Sequence, residues 1–273
     1  MAMLYSLCSV GPAFAKDDAV LTETQNSSET VPLPAANSGL TMSLGVATWH
    51  GGFGAPSATD ISSVLVGVRY RRDRLRLSAS VPYMRITSNG TFFTGLGGSP
   101  LFVAPNITTV ARKRDGLGDL TIGGSYPVSG SNWRGFNLDV SGQIKIPTAS
   151  RSSQLSTGKV DYALGADLSR SFGRWTPGFS ASYRIFGNNS VWQFRDAFHT
   201  SANVTYALLP RTAVLLSYDY TQAATGFVGD AHEIVAGAST PITDRIRLTG
   251  YMSKGLSTGA ADVSGGASLS LSY

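Results

Sequence analysis

Apolar and small polar residues alternate along short segments of this chain. The pattern is clearest over residues 267–273, which read Ala-Ser-Leu-Ser-Leu-Ser-Tyr. Alternation with a period of two places successive side chains on opposite faces of a β-strand. The chain is therefore predicted to form strands that have one apolar and one polar face.

Twelve such segments follow residue 39, and each is roughly 9–13 residues long, the length that a tilted strand needs to cross a bilayer. They begin near Leu40, Ser62, Leu75, Gly118, Gly135, Val160, Pro177, Ala197, Arg211, Ala231, Arg245 and Val263.

The connections between these segments alternate in length. Every second connection is a tight turn, at residues 71–74, 129–134, 172–174, 209–211 and 241–244, whereas the other six are longer. Short turns on one side, long loops on the other and an even strand count are typical of a bacterial outer-membrane barrel. We predict an all-β fold, a transmembrane antiparallel up-and-down β-barrel of twelve strands. A soluble β-sandwich or a large lipocalin-like barrel would also alternate, but its polar face would carry more Lys and Glu than the Ser and Gly found here.

The beginning of the chain has a different character. Residues 1–15 are weakly apolar and end in Ala-Phe-Ala, which resembles a signal peptide with its cleavage site, although the usual basic segment is missing. Residues 16–38 are polar and lack periodicity, so they are predicted to be a flexible periplasmic leader. The barrel is predicted to span residues 39–273. The one cysteine, Cys8, falls in the predicted signal peptide.

The composition excludes several classes of protein. The hydrophobic share of 42% is too high for a disordered chain, and no apolar run is long enough for a transmembrane helix. The sequence pI of about 9.4 raises the question of nucleic acid, but the basic residues are spread over turns and strands. The glycines at residues 95–98 are not followed by the Lys-Ser/Thr of a phosphate loop. We therefore predict no nucleic-acid partner, no cofactor and no metal site.

Charged residues within the strands are expected to point into the barrel, because a charge in the lipid costs about 2–4 kcal/mol. One predicted wall is basic and the other mainly acidic. The predicted lumen residues are Arg69, Arg71, Arg76, Arg245 and Arg247 on the first wall, and Asp119, Asp139, Asp161, Asp167 and Asp219, with Lys145 and Arg184 interspersed, on the second. These charges create a field that orients solutes in a narrow pore, or they pair across the lumen and fill it, or the arginines simply decorate the periplasmic rim.

The loop of residues 86–111 has no charged residue in 26 positions and is unusually apolar for an exposed loop. Its candidate entry residues are Phe92, Phe93, Leu101 and Phe102. The loop either folds into the mouth as a constriction or an entry site for hydrophobic solutes, or packs on the barrel rim.

Catalysis has weak support in this sequence. The three histidines, His50, His199 and His232, fall near the outer ends of predicted strands, with Asp196 and Asp230 close to the last two. A His–Asp pair at such a rim could activate water as in an omptin-like protease. Because no motif of the barrel proteases or phospholipases is present, we predict no enzyme and assign no catalytic residue.

Four short motifs point to a family. They read Gly-Leu-Gly-Asp-Leu-Thr-Ile-Gly at residues 116–123, Ile-Lys-Ile-Pro-Thr at 144–148, Ser-Thr-Gly-Lys-Val-Asp-Tyr at 156–162 and Ser-Tyr-Arg-Ile-Phe-Gly at 182–187. This succession resembles the outer-membrane barrel family labelled for the MetA pathway of phenol degradation. The matching positions are Asp119, Pro147, Gly158 and Asp161, and residues 149–155 replace the family's tighter glycine-rich link. The resemblance implies passage of small, aromatic or hydrophobic compounds.

The sequence therefore predicts an outer-membrane channel or transporter that passes small solutes through a narrow polar lumen. Both barrel termini are expected on the periplasmic side. The expected partners are outer-membrane lipid and lipopolysaccharide, the small-molecule solute, and the barrel-assembly machinery, which would read the last strand ending in Tyr273. The alternatives are a non-conducting structural or adhesive barrel and, more remotely, a hydrolase with a His/Asp site at the rim.

Overall fold

The computed structural model describes residues 38–54, 57–104, 111–128, 135–188 and 190–273, and these residues form an antiparallel barrel. The predicted signal peptide, most of the predicted leader and the predicted turn at 129–134 lie outside the described residues. No helix in the described part of the chain is long and apolar enough to cross a membrane. The strands are β1 (Ser38–Gly51), β2 (Thr59–Arg72), β3 (Leu75–Ser88), β4 (Thr91–Thr94), β5 (Pro100–Ala104), β6 (Arg112–Leu117), β7 (Leu120–Pro127), β8 (Phe136–Ile146), β9 (Asp161–Arg170), β10 (Trp175–Ile185), β11 (Ala197–Leu209), β12 (Thr212–Thr221), β13 (Ala231–Pro241), β14 (Ile246–Gly255) and β15 (Val263–Ser272).

The barrel closes because β15 pairs with β1, while β1 pairs with β2 and β2 with β3. Each remaining wall strand pairs with its neighbour in the chain as far as β7, which returns to β3. If β6 and β7 are counted as one wall position, the described strands make twelve positions. The twelve-strand antiparallel barrel is therefore confirmed, with β4 and β5 as an additional hairpin.

The two faces of the wall follow the alternation in the sequence. On β1 the side chains of Met42, Leu44 and Val46 are about half exposed on the outer surface, whereas Ala47 and Trp49 are buried inside. Pairing keeps the outward positions in rows, so that Leu44 lies opposite Val66 on β2 and Leu269 on β15. The outer surface of the barrel is consequently a continuous apolar band suited to lipid.

Tyrosines mark the end of the barrel where the long loops emerge. The hydroxyl of Tyr83 donates to Asp115, that of Tyr183 to Asp196 and that of Tyr220 to Asp230, over 2.6, 3.1 and 2.8 Å. An aromatic ring with a polar tip is the side chain favoured where lipid meets water.

The fourth wall position is broken, which the alternation did not predict. The fourth wall position begins at Arg112 rather than near Gly118. Strand β6 pairs with the half of β3 nearer the long loops, and β7 pairs with the half nearer the short turns. The break falls at Gly118, whose N–H donates to Pro82 O over 2.7 Å. A Cβ at Gly118 would lie 2.6 Å from Thr94 Oγ1, so only glycine leaves room for the hairpin at this point.

The segment 86–111 also has more structure than a loop. Strand β3 continues to Ser88, and β4 and β5 then pair as a hairpin, with Thr91 opposite Ala104 and Phe93 opposite Leu101. A tight turn at residues 95–99 joins the two strands, where Gly95 N–H donates to Ser99 O over 2.7 Å.

Candidate solute pathway

The interior of the barrel is divided in two. The hairpin β4–β5, called the plug below, fills the half nearer the long loops. A chamber of about 490 Å³ occupies the half nearer the short turns. Exposed residues around this chamber, such as Asp244 and Arg245, place its mouth at the end of the barrel where the short turns lie.

The plug binds the inside of the barrel through aromatic side chains on both of its faces. On one face Phe92 and Phe102 stack with their ring centroids 4.6 Å apart and pack with Phe53 and Trp49. On the other face Phe93 packs edge-on against Trp192, with centroids 6.0 Å apart. The plug thus joins two apolar clusters that lie on opposite sides of the lumen.

The four predicted entry residues are therefore inside the barrel. Phe92, Phe93 and Phe102 are buried and Leu101 is partly buried. Of the two arrangements considered from the sequence, the loop folds inward and does not lie on the outer rim. A role of these side chains in solute entry stays a prediction.

Hydrogen bonds from the wall and loops hold the plug backbone. Thr94 N–H donates to Leu155 O over 2.7 Å, and Gly97 N–H donates to Thr121 Oγ1 over 3.0 Å. On the other side of the lumen, Thr225 Oγ1 donates to Val103 O over 2.7 Å. These bonds tie the plug to β7 and to two of the long loops.

The loop that carries Thr225 is fixed by a carboxylate. Asp230 accepts the N–H of Ala223 and the hydroxyl of Tyr220, each over 2.8 Å. The Ala223 hydrogen bond, followed by that of Tyr220, lowers the pKa of Asp230 below its ordinary value. The folded loop is stabilised when Asp230 is ionised. This contribution of Asp230 to the stability of the loop is lost as pH falls through the lowered pKa.

A buried charged trio joins the plug to the wall. The Nζ of Lys145 lies 2.7 Å from Asp161 Oδ2 and 3.1 Å from Asp119 Oδ2, and it donates to Thr94 O over 3.2 Å. All three charged side chains are at most 1% exposed. Asp119 also accepts the Ser156 hydroxyl over 2.7 Å, and Asp161 the N–H of Gly187 over 3.0 Å.

The basic wall predicted from the sequence lines the chamber. Arg69, Arg71, Arg76, Arg245 and Arg247 all contribute to its surface, together with Arg211, which the sequence reasoning did not single out.

The predicted acidic residues are divided among several environments rather than forming one wall. Asp119 and Asp161 belong to the Lys145 trio, and Asp139 accepts a 3.1 Å hydrogen bond from Arg76. Asp167 lies directly opposite Asp139 across β8 and β9.

The last two predicted lumen residues lie nearer the plug. Asp219 is buried opposite Glu233 across β12 and β13 and accepts a 2.7 Å hydrogen bond from the Ser217 hydroxyl. Arg184 lines a cavity of about 50 Å³ beside the plug. Some of the predicted lumen charges therefore pair along the wall, while the arginines line open space. A field that orients solutes stays a prediction.

His199 and His232 do not pair with Asp196 and Asp230, the aspartates near them in the sequence, whereas His50 Nδ1 lies 2.7 Å from Asp60 Oδ1 and both of those side chains are exposed. His199 is buried and its Nδ1 contacts Thr221 Oγ1 at 3.0 Å, while Asp196 binds Tyr183. His232 Nδ1 lies 2.6 Å from the Tyr218 hydroxyl, while Asp230 binds Tyr220. In the described residues no group of three or more His, Cys, Asp or Glu side chains is arranged to hold a metal ion.

A closed twelve-strand barrel with an apolar outer band, short turns at one end, long loops at the other and a plugged polar lumen is an integral outer-membrane β-barrel. Residues 24–273 match the sequence family described as the MetA-pathway of phenol degradation. The chain belongs to this family, as its four motifs indicated. No curated protein sequence matches it.

Solved structures to which the chain is similar include two channels and a transporter. An outer membrane channel from Pseudomonas putida F1 is 15% identical with a TM-score of 0.60, and the match covers 92% of this chain and 100% of that one. The toluene transporter TodX of P. putida is 11% identical with a TM-score of 0.45, covering 88% and 91%. The monoaromatic hydrocarbon channel CymD is 10% identical with a TM-score of 0.43, covering 95% and 91%. The first likeness shows the barrel fold of this chain.

Proposed function

We propose that this protein is a gated channel of the bacterial outer membrane that passes small solutes, aromatic and apolar ones among them. The observation that carries the proposal is the divided lumen. An open chamber meets a plug that is held by side chains and hydrogen bonds and is no part of the wall. The fold of the related channel from P. putida F1 supports the same role.

Passage of an aromatic solute requires the plug to move. The cavity beside the plug measures about 50 Å³. A cavity of ~150 Å³ is the size that admits benzene in a protein interior. The chamber is large enough for such a solute, so the plug is the barrier.

We further propose that the short turns and both barrel termini face the periplasm, as expected for this class of barrel. The apolar band contacts outer-membrane lipid, and the rim of the long loops contacts lipopolysaccharide. The terminal strand ending in Tyr273 is read by the assembly machinery. The proposal includes no enzymatic activity, since the similar structure from P. putida F1 is a channel and neither His199 nor His232 pairs with its neighbouring rim aspartate.

Liposome swelling tests the channel. We expect refolded protein to pass arabinose slowly and a variant without the plug to pass it rapidly. The alternative of a non-conducting structural barrel predicts no swelling from either form. Activity on a phospholipid or a dibasic peptide that is abolished in His199→Ala would instead support a hydrolase.

Ion selectivity tests the basic lining. In the plug-free background, Arg69→Glu combined with Arg247→Glu should shift the reversal potential in a KCl gradient toward cation preference, because both arginines line the chamber. Arg72→Glu is the matched control, since Arg72 is exposed on the outer side of the same strand. An unchanged reversal potential in the double variant would show that these arginines do not act on permeating ions.

A further inference from the structure

The arginines of the chamber form two arms that stand on either side of the barrel seam. One arm carries Arg69 and Arg71 on β2 and Arg76 on β3, with Arg71 and Arg76 directly opposite each other. The other arm carries Arg247 on β14 and Arg245 just before that strand. Both arms border the same chamber.

Small polar side chains form the floor between the arms. Strands β1 and β15 separate the two arms, and their inward positions hold Thr41 and Ser43 on β1 and Ser270 and Ser272 on β15. Thr41 lies opposite Arg69, and Ser270 opposite Arg247. Three interstrand steps of about 4.8 Å separate the arms, roughly 14 Å between backbones. Long guanidinium side chains therefore face one another over a floor of hydroxyl groups.

The charge of this space favours anions. Among the described residues, the side chains that line the chamber include six arginines and one carboxylate, that of Asp244, which Arg211 binds at 2.8 Å. Asp139 on β8 binds Arg76 at 3.1 Å and lies opposite Asp167 on β9, so three carboxylates are near the chamber, and the six arginines still outnumber them. A planar guanidinium matches the two oxygens of a carboxylate, and in a partly dry cleft this pairing is stronger than in water.

We propose that the chamber is a binding site for small organic carboxylates, held with the carboxylate between the two arginine arms and over the Ser/Thr floor. The inference deepens the proposed channel function, on which it rests, by naming a class of solute. The chamber volume of about 490 Å³ leaves room for an aromatic ring beside the charged group. Because the chamber opens at the short-turn end, binding does not require the plug to move.

Equilibrium dialysis of refolded protein in neutral detergent at low salt, with radiolabelled benzoate as the probe, tests the proposal. Benzoate should bind saturably, and neutral benzamide should bind at least tenfold more weakly. Arg69→Gln combined with Arg247→Gln should weaken benzoate binding at least tenfold and leave benzamide unchanged. Arg72→Gln combined with Arg174→Gln removes the same net charge from exposed positions and should leave benzoate binding intact.

Equal binding of benzoate and benzamide, or equal loss of benzoate binding in both double variants, would overturn the proposal. Inorganic phosphate that competes as tightly as benzoate would show a general anion site and overturn the organic class, whereas competition by acetate supports it. Shifted migration of unboiled protein in a denaturing gel verifies that each variant is folded. Benzoate binding without arabinose swelling of the plug-free variant would refute the channel alone, and swelling without benzoate binding would refute this site alone.

Discussion

Replacing residues 91–104 with a short Gly-Ser linker should raise single-channel conductance and solute flux several-fold at least. The plug contributes side chains to both apolar clusters, which lie on opposite sides of the lumen, and its removal takes away the hairpin that fills this half of the twelve-strand interior. A barrel of this size lies between those filled by side chains and those with an open aqueous channel. The linker is feasible because Thr91 and Ala104 lie opposite each other at the base of the hairpin.

Uptake of a radiolabelled aromatic compound and planar-bilayer recordings measure this effect. A folded plug-free variant with the conductance of the wild type would show that the hairpin is not the barrier.

The wall of this barrel could be predicted from the sequence because every strand obeys the same local rule. Lipid on one side and lumen on the other impose a period of two, so strand number, faces and the alternation of turns and loops are visible in the order of residues. Most strand starts were placed within a few residues, and those at Leu75, Ala197, Ala231 and Val263 coincide with the structure.

The plug and the broken wall could not be predicted because long-range contacts determine them. Residues 112–115 are charged in succession, and they join the sheet only by pairing with the outer end of β3. The apolar residues of the plug predicted that this segment is buried. They did not predict whether it packs inside the barrel or on the rim. Gly118 appeared in a family motif, yet its role became evident only from its contact with Thr94.

Only part of the candidate site could be predicted, because long-range contacts also determine how its residues come together. The alternation placed Lys145, Asp119 and Asp161 inside, since charges avoid lipid. It did not bring them together, because the loop 147–160 separates β8 from β9 and the break in the fourth wall brings Asp119 to the same point. Leu155, Thr121 and Thr225, which bind the plug backbone, carried no signal, since single apolar or hydroxyl residues are common in barrel walls and loops.

Substitution of Lys145 should have the largest effect on stability among single changes in the barrel. Lys145→Met leaves two carboxylates without their ammonium in a site at most 1% exposed, and it removes the donor to Thr94 O. Breaking a buried ion pair by removing one partner costs ~3–5 kcal/mol. We expect a lower unfolding midpoint in guanidinium, followed by tryptophan fluorescence, and a higher flux through the less firmly held plug.

Two variants separate the charge effect from the loss of a long side chain. Lys254→Met removes an exposed lysine on β14 and should leave the midpoint unchanged. Adding Asp119→Asn and Asp161→Asn to Lys145→Met removes the unpaired charges while keeping hydrogen-bonding groups, so it should restore much of the stability. The plug would still lack the Lys145 hydrogen bond, and flux should stay above the wild-type value. Equal midpoints for Lys145→Met and Lys254→Met would mean that the trio contributes little, and the plug would then be held by its aromatic contacts and by its hydrogen bonds to Leu155, Thr121 and Thr225.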